Sequence, residues 1–237
     1  MEKMLAWIDA RFPLTALWES QWGKYIAPKN FNFWYYFGSL AAFVLVIQIV
    51  TGIFLTMNYK PDATKAFESV EYIMRDVQWG WLIRYMHSTG ASMFFIVVYL
   101  HMFRGLMYGS YRKPRELTWI FGCLIYLALM AEAFFGYLLP WGQMSLVLLG
   151  LVIAHLMALH ETGSNNPDGV QIKYQPKDPA TGLPLDGIYS HPYYTVKDIV
   201  GVVVFLAVFS VIVFFMPEMG GYFIEANNFV PADPLRT

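Results

Sequence analysis

Charge is what this sequence has least of. Only 14% of its 237 residues are Asp, Glu, Lys or Arg, against roughly 25% in a soluble domain. Cysteine is nearly absent too. A lone Cys123 excludes an internal disulfide and a cysteine-ligated metal cluster. With a net charge of −1, the chain lacks the electrostatic footprint of a nucleic-acid partner. It also lacks an N-terminal apolar run. Met1–Pro28 interleaves charges with Trp7, Phe12, Trp18 and Trp22, which reads as an amphipathic segment on a membrane surface rather than a secretory signal.

Apolar runs take the place of the missing charge. Trp34–Met57 and Ile199–Met216 hold no charged residue, and Leu117–Leu139 holds only Glu132. Trp81–Tyr108 is mostly apolar but holds Arg84, His87, His101 and Arg104. A helix needs about 20 apolar residues to cross a bilayer. The sequence therefore predicts an all-α, polytopic transmembrane bundle with spans at 34–57, 81–108, 117–139, 146–160 and 198–216. A surface segment (1–30) precedes the bundle (31–216), and an outer-side linker starts at 217–237. The fourth run is short. Leu146–His160 would extend about 22 Å at 1.5 Å per residue, against a hydrocarbon core of about 30 Å. This predicts a missing segment before it.

Lys and Arg mark the cytoplasmic side of a membrane protein. Lys3, Arg11, Lys24 and Lys29 precede the first span. Arg112, Lys113 and Arg115 follow the second, and Lys173, Lys177 and Lys197 lie between the fourth and fifth. With five spans all three groups fall on one side, so the N-terminus is expected inside. The loop from Asn165 to Gly187 is long, polar and rich in Pro and Gly, which is common in functional loops.

His87 and His101 lie 14 residues apart. At 100° per residue they share a helix face, separated by about 21 Å along the axis. Two polar histidines lining a bundle would satisfy that pattern. So would two axial ligands of heme irons at different depths, since ionisable groups inside membranes are rare and usually functional. Gly38 and Gly52 repeat the interval, as do Gly122 and Gly136. Glycine lets another group approach closely, either a second helix or a flat macrocycle. Arg84 and Arg104 each lie one turn outward from a histidine, where they can snorkel to headgroups or meet heme propionates. His155 lies in the fourth run and can face His101, two ligands to one heme. His160 opens the polar stretch His160–Glu161–Thr162–Gly163–Ser164–Asn165 and suits hydrogen bonding to a polar ligand, or to headgroups. Lys197 and Asp198 open the fifth span, as a helix start or as a proton-donor pair beside a quinone. Glu132 is an intramembrane acid, either on a proton path or paired within the bundle.

With these residues collected, the chain resembles cytochrome b of the cytochrome bc complex, ubiquinol–cytochrome c reductase, of proteobacterial type. The matching stretches are Phe37–Gly38–Ser39–Leu40, Arg84–Tyr85–Met86–His87, His101–Met102–Phe103–Arg104–Gly105, Gly136 through Ser145, His160 through Pro167, and His191 through Asp198. The resemblance implies two b-type hemes between helices. His101 and His155 would ligate the high-potential one and His87 the low-potential one. Arg84, Arg104 and Ser110 match propionate positions. His160, Ser164, Lys197 and Asp198 match the inner quinone-reduction site, and Gly142 the rim of an outer quinol-oxidation site. The family oxidises quinol at the outer side and reduces quinone at the inner side, with ubiquinol and ubiquinone as substrates. It works with a cytochrome c1-type subunit and a Rieske iron–sulfur subunit, as a homodimeric complex in the bacterial inner membrane.

Two departures accompany the resemblance. Trp141 stands where a fourth heme histidine is expected, and Ser145 runs directly into Leu146, where the family carries further residues. The family's C-terminal helices do not follow Thr237. The competing reading is a heme-poor or non-redox membrane scaffold, with the histidines as polar packing.

Overall fold

The computed structural model describes residues 2–62, 64–138 and 144–217. Helix dominates because an apolar chain in lipid must satisfy every backbone N–H and C=O internally. Short α1 (Glu2–Asp9) and α2 (Leu14–Trp18) come first. They expose Met4, Leu5, Trp7, Leu14, Leu17 and Trp18, with Phe12 between them. A 3-10 turn, Phe33–Tyr35, is capped by Asn32, whose side chain accepts from the Trp34 amide at 3.2 Å. It leads into α3 (Tyr36–Thr56).

The amphipathic α4 (Ala66–Arg75) buries Ser69 and Ile73 and pairs Arg75 with Glu71 one turn back. The long α5 (Gly80–Met107), α6 (Glu116–Leu138), α7 (Met144–Thr162) and α8 (Tyr193–Phe215) complete the helices. Among the described residues, four helical segments are long and apolar enough to cross a membrane: Phe33–Thr56, Gly80–Met107, Glu116–Gly136 and Tyr193–Phe215. Their exposed Val46, Ile53, Ile96, Leu127, Val203 and Val208 form the surface that lipid chains cover.

The fourth apolar run is longer as a helix than as a sequence pattern. α7 has 19 residues, about 28 Å at helical rise, because it also takes in Met144, Ser145, Glu161 and Thr162. It runs unbroken through Ser145 and Leu146. Gly163 ends it at φ +77°, and its amide caps the Leu159 carbonyl at 2.8 Å. That left-handed position favours glycine.

The chain divides into two compact units. One comprises Met1–Phe37, Leu100–Glu132 and Gly142–Gly201, the other Gly38–Tyr99, Ala133–Trp141 and Val202–Thr237, in each case for the residues described. In the first, strands β1 (Ile26–Pro28) and β2 (Gly187–Tyr189) pair antiparallel with Ala27 opposite Ile188. This ribbon ties the N-terminal segment to the loop after α7, and the Tyr194 hydroxyl adds a 2.6 Å bond to the Pro28 carbonyl. The loop is held by its own polar side chains. Buried Asn166 donates to the Val170 carbonyl, while Asn165 donates to the Tyr108 carbonyl and the Ser110 hydroxyl. In the second unit, Phe43 of α3 meets Phe205 of α8 edge-on, and Trp81 of α5 meets Phe214.

Candidate functional site

The first unit brings two histidines face to face. His101 on α5 and His155 on α7 have ring centroids 6.4 Å apart with planes crossed at 68°. Two imidazoles sharing one metal at about 2 Å per bond have centroids about 6 Å apart, so the pair fits a bis-imidazole iron. The surroundings fit as well. A Cβ on Gly122 would lie 3.4 Å from His155 Cε1, so α6 lies against that ring with room for no side chain larger than a methyl. His155 Nδ1 is buried with no hydrogen bond of good geometry, although the Thr118 backbone lies beside it. Arg104 Nε is likewise buried without a partner. Its guanidinium lies over the Tyr35 ring at 4.8 Å and reaches His101 Nδ1 at 3.5 Å, too long a contact to fix that ring's tautomer. Orphaned buried donors in a native site ask for a partner, and the carboxylates of a heme would supply one.

The second unit holds His87. Its Nδ1 is 2.9 Å from Thr51 Oγ1. That hydroxyl gives its own proton to the Ile47 carbonyl at 2.6 Å, so its oxygen accepts from Nδ1–H. The lone pair is thereby left on Nε2, the form a metal ligand needs. A Cβ on Gly52 would lie 3.3 Å from His87 Cε1. Gln48, on the same helix as Thr51 and Gly52, donates to the His87 carbonyl at 3.2 Å. Gly52 and Gly122 thus each lie against a candidate ligand. A Cβ on Gly136 would meet open space. Arg84 is exposed, one turn from His87.

His160 and Ser164 line a cleft of about 150 Å³ in the first unit, together with Tyr25, Arg115, Gln171 and Lys173. Two of these were not legible in the sequence. Tyr25 lies edge-on to His160 at 4.8 Å, and its hydroxyl meets Ser164 Oγ at 2.9 Å and accepts from the Ser164 amide. Arg115 is buried, donates from Nε to the Gly163 carbonyl at 2.9 Å, and has its pKa lowered by burial. The His160 ring nitrogens lie near the Leu156 and Gln21 carbonyls; a neutral ring donates to only one of them. Lys197 and Asp198 do not line this cleft. Lys197 donates to the Tyr193 hydroxyl at 2.8 Å. Gly142 and Trp141 lie outside the described residues.

Comparisons with known proteins give the chain's family. The family model described as cytochrome b/b6/petB matches residues 23–158. Cytochrome b of Allochromatium vinosum is 56% identical, with 98% of this chain and 68% of that protein covered. Cytochrome b of Rhodospirillum rubrum is 43% identical over 99% of this chain and 67% of its own length. The alignment to the first runs to 282 positions, more than the 237 residues here, so that protein carries residues within the matched region that have no counterpart in this chain. Among solved structures, a hyperthermophilic respiratory Complex III matches with TM-score 0.83 and 34% identity, over 98% of this chain and 72% of that one. The chain belongs to the cytochrome b family, the redox subunit of respiratory quinol–cytochrome c oxidoreductases.

Proposed function

We propose that His101 and His155 hold a high-potential b heme near the cytoplasmic face and that His87 holds a low-potential b heme toward the outer face. The observation that carries the reading is the His101–His155 pair, whose 6.4 Å spacing suits one iron. When bound, each heme supplies reversible one-electron transfer at its iron. The chain's residues do the rest. Thr51 orients His87, and Gly52 and Gly122 admit the ligand rings against flat helix surfaces. Arg104 and Ser110 bind propionates of the first heme and Arg84 those of the second. Gly38 and Gly136 leave room for the macrocycles.

Quinone is reduced in the cleft around His160 and Ser164. Its carbonyl oxygens need donors, which the Ser164 and Tyr25 hydroxyls supply, together with the His160 N–H once the ring turns from its backbone carbonyls. Buried Arg115 keeps the cleft cationic. Lys197 and Asp198, at the start of α8, deliver protons to the reduced ring, and Glu132 serves a proton path. Quinol oxidation takes place on the outer side, with Gly142 on its rim.

By analogy with the complexes its relatives form, the chain works beside a cytochrome c1-type and a Rieske iron–sulfur subunit, as part of a homodimer. The membrane is the bacterial inner membrane, with the N-terminus cytoplasmic. Eleven of the sixteen Lys and Arg residues belong to the unit that contains residues 1–37, which supports that orientation. The extra residues of the relatives fall between Ser145 and Leu146, just after Trp141 stands in place of a fourth histidine. The helices C-terminal to 217–237 in the family complete the outer site.

The test is quinol-driven reduction of b heme in membranes containing the complex. Reduction of two b hemes is expected in the wild type, and reduction of the high-potential one is expected to be lost in His155→Leu. Absence of any b-type absorption from the wild-type complex would instead support a non-redox scaffold.

A further inference from the structure

We infer that Tyr25 is a proton source for quinone reduction, passing its phenolic proton to the quinone through the Ser164 hydroxyl. This rests on the reading of the His160–Ser164 cleft as the quinone site, and it names the group that protonates the quinone from the wall of that cleft.

Reduction of a quinone to quinol takes two electrons and two protons, one proton for each carbonyl oxygen. Lys197 and Asp198 can supply one of them from the start of α8, but they do not line the cleft, and among the described residues no carboxylate does. The titratable groups that do are Tyr25, Arg115, His160 and Lys173. Arg115 keeps its proton at any ordinary pH and donates to the Gly163 carbonyl. Lys173 turns its ammonium to the Glu161 carbonyl at 3.1 Å. His160 faces the backbone carbonyls of Leu156 and Gln21.

Tyr25 alone is connected to a second hydroxyl of the cleft. Its phenolic oxygen is 2.9 Å from Ser164 Oγ and accepts from the Ser164 amide at 3.1 Å. When the reduced quinone oxygen takes the Ser164 Oγ–H, the Ser164 oxygen takes the Tyr25 proton and a phenolate remains. One O–H bond forms on the quinone, one breaks on Tyr25, and Ser164 exchanges one for another. Water then reprotonates Tyr25, and the electrons are those that the family's reaction delivers.

The surroundings favour the phenolate. The Ser164 amide already points at its oxygen, and buried Arg115 interacts with it electrostatically. Donors and charges fixed in place before the charge develops are the strongest stabilisers. A tyrosine and a hydroquinone are both phenols, so the transfer between their oxygens is close to balanced, as efficient acid catalysis requires. The other groups near Tyr25 are the His160 ring, edge-on at 4.8 Å, Lys24, which pairs with Glu19, Lys173 across the cleft, and Tyr189 of β2, opposite Ile26.

The test uses the purified complex. Its b heme is reduced chemically, a soluble ubiquinone analogue is added, and reoxidation is followed by absorbance across a range of pH. Tyr25→Phe is expected to slow reoxidation on the order of 100-fold, the usual contribution of a positioned acid. Ser164→Ala is expected to show the same loss and Ser164→Thr to restore the rate. The double variant is expected to be no slower than either single one, because both belong to one relay. Fluorotyrosine at position 25 keeps the ring and its contacts, and is expected to shift the basic limb of the pH–rate profile downward by the difference between the two phenols' pKa values. An unmoved profile, or single losses that multiply in the double variant, would overturn the inference, since both residues would then only shape the cleft. Failure of the quinone-site reading looks different: every variant would reoxidise its heme at the wild-type rate and KM. The spectrum of the His101–His155 heme reports that each variant is folded.

Discussion

At the residue scale, each candidate ligand is set by a neighbour that carries no metal chemistry of its own. Thr51 decides which nitrogen of His87 is free. Thr51→Val removes the acceptor for Nδ1–H, and loss of such an outer-shell partner weakens metal binding on the order of 10- to 100-fold. Heme occupancy at His87, read by absorbance per protein, is therefore expected to fall while the His101–His155 heme keeps its spectrum. Gly122 sets the clearance for His155. A methyl in its place would lie 3.4 Å from the ring, so Gly122→Ala is expected to be tolerated with a small loss of low-spin signal. Gly122→Val, with two further methyls, is expected to abolish that signal. The spacing of His87 and His101 and the 14-residue glycine intervals were legible in the sequence, because helix periodicity alone puts them on one face. Thr51 was not, since its role depends on which turn of a neighbouring helix stands beside His87.

At the scale of the element, α7 and the loop that follows it connect heme chemistry to the cleft. Its sequence pattern under-reports its length, because its ends are polar or less apolar residues that hydropathy does not count. The stop at Gly163 is a backbone matter. At φ +77° a side chain costs about 1 kcal/mol, and Gly163 also offers its carbonyl to Arg115. Gly163→Ala is expected to lower the thermal midpoint of the complex by a few degrees and to loosen the cleft, read as a higher KM for quinone with little change in the heme spectrum. The polar loop was predicted from composition, and its length marked it as functional. What composition could not supply was the long-range closure by Tyr25, which approaches Ser164 and His160 from the far N-terminal side. Tyr25→Phe leaves the Ser164 amide without its acceptor, at about 1–3 kcal/mol. Slower quinone reduction at unchanged heme content is expected.

At the scale of the whole molecule, scarcity of charge predicted the membrane and the segregation of Lys and Arg predicted its sidedness. Cys123 is the one native thiol, and replacing it by Ala makes labelling unambiguous. A cysteine introduced at Lys177 is expected to react with an impermeant thiol reagent only when the cytoplasmic face is open to it, and one at Lys65 only from the outer face. The reverse pattern would invert the proposed topology. Whether His155 and His101 share one iron is decided by a ligand exchange. His155→Met keeps a donor on α7 but replaces imidazole by thioether, which raises the potential of a heme iron. In a redox titration of the purified complex, the potential of the high-potential b heme is expected to rise while any other heme is unmoved. An unshifted titration, with the heme content of the wild type, would contradict it.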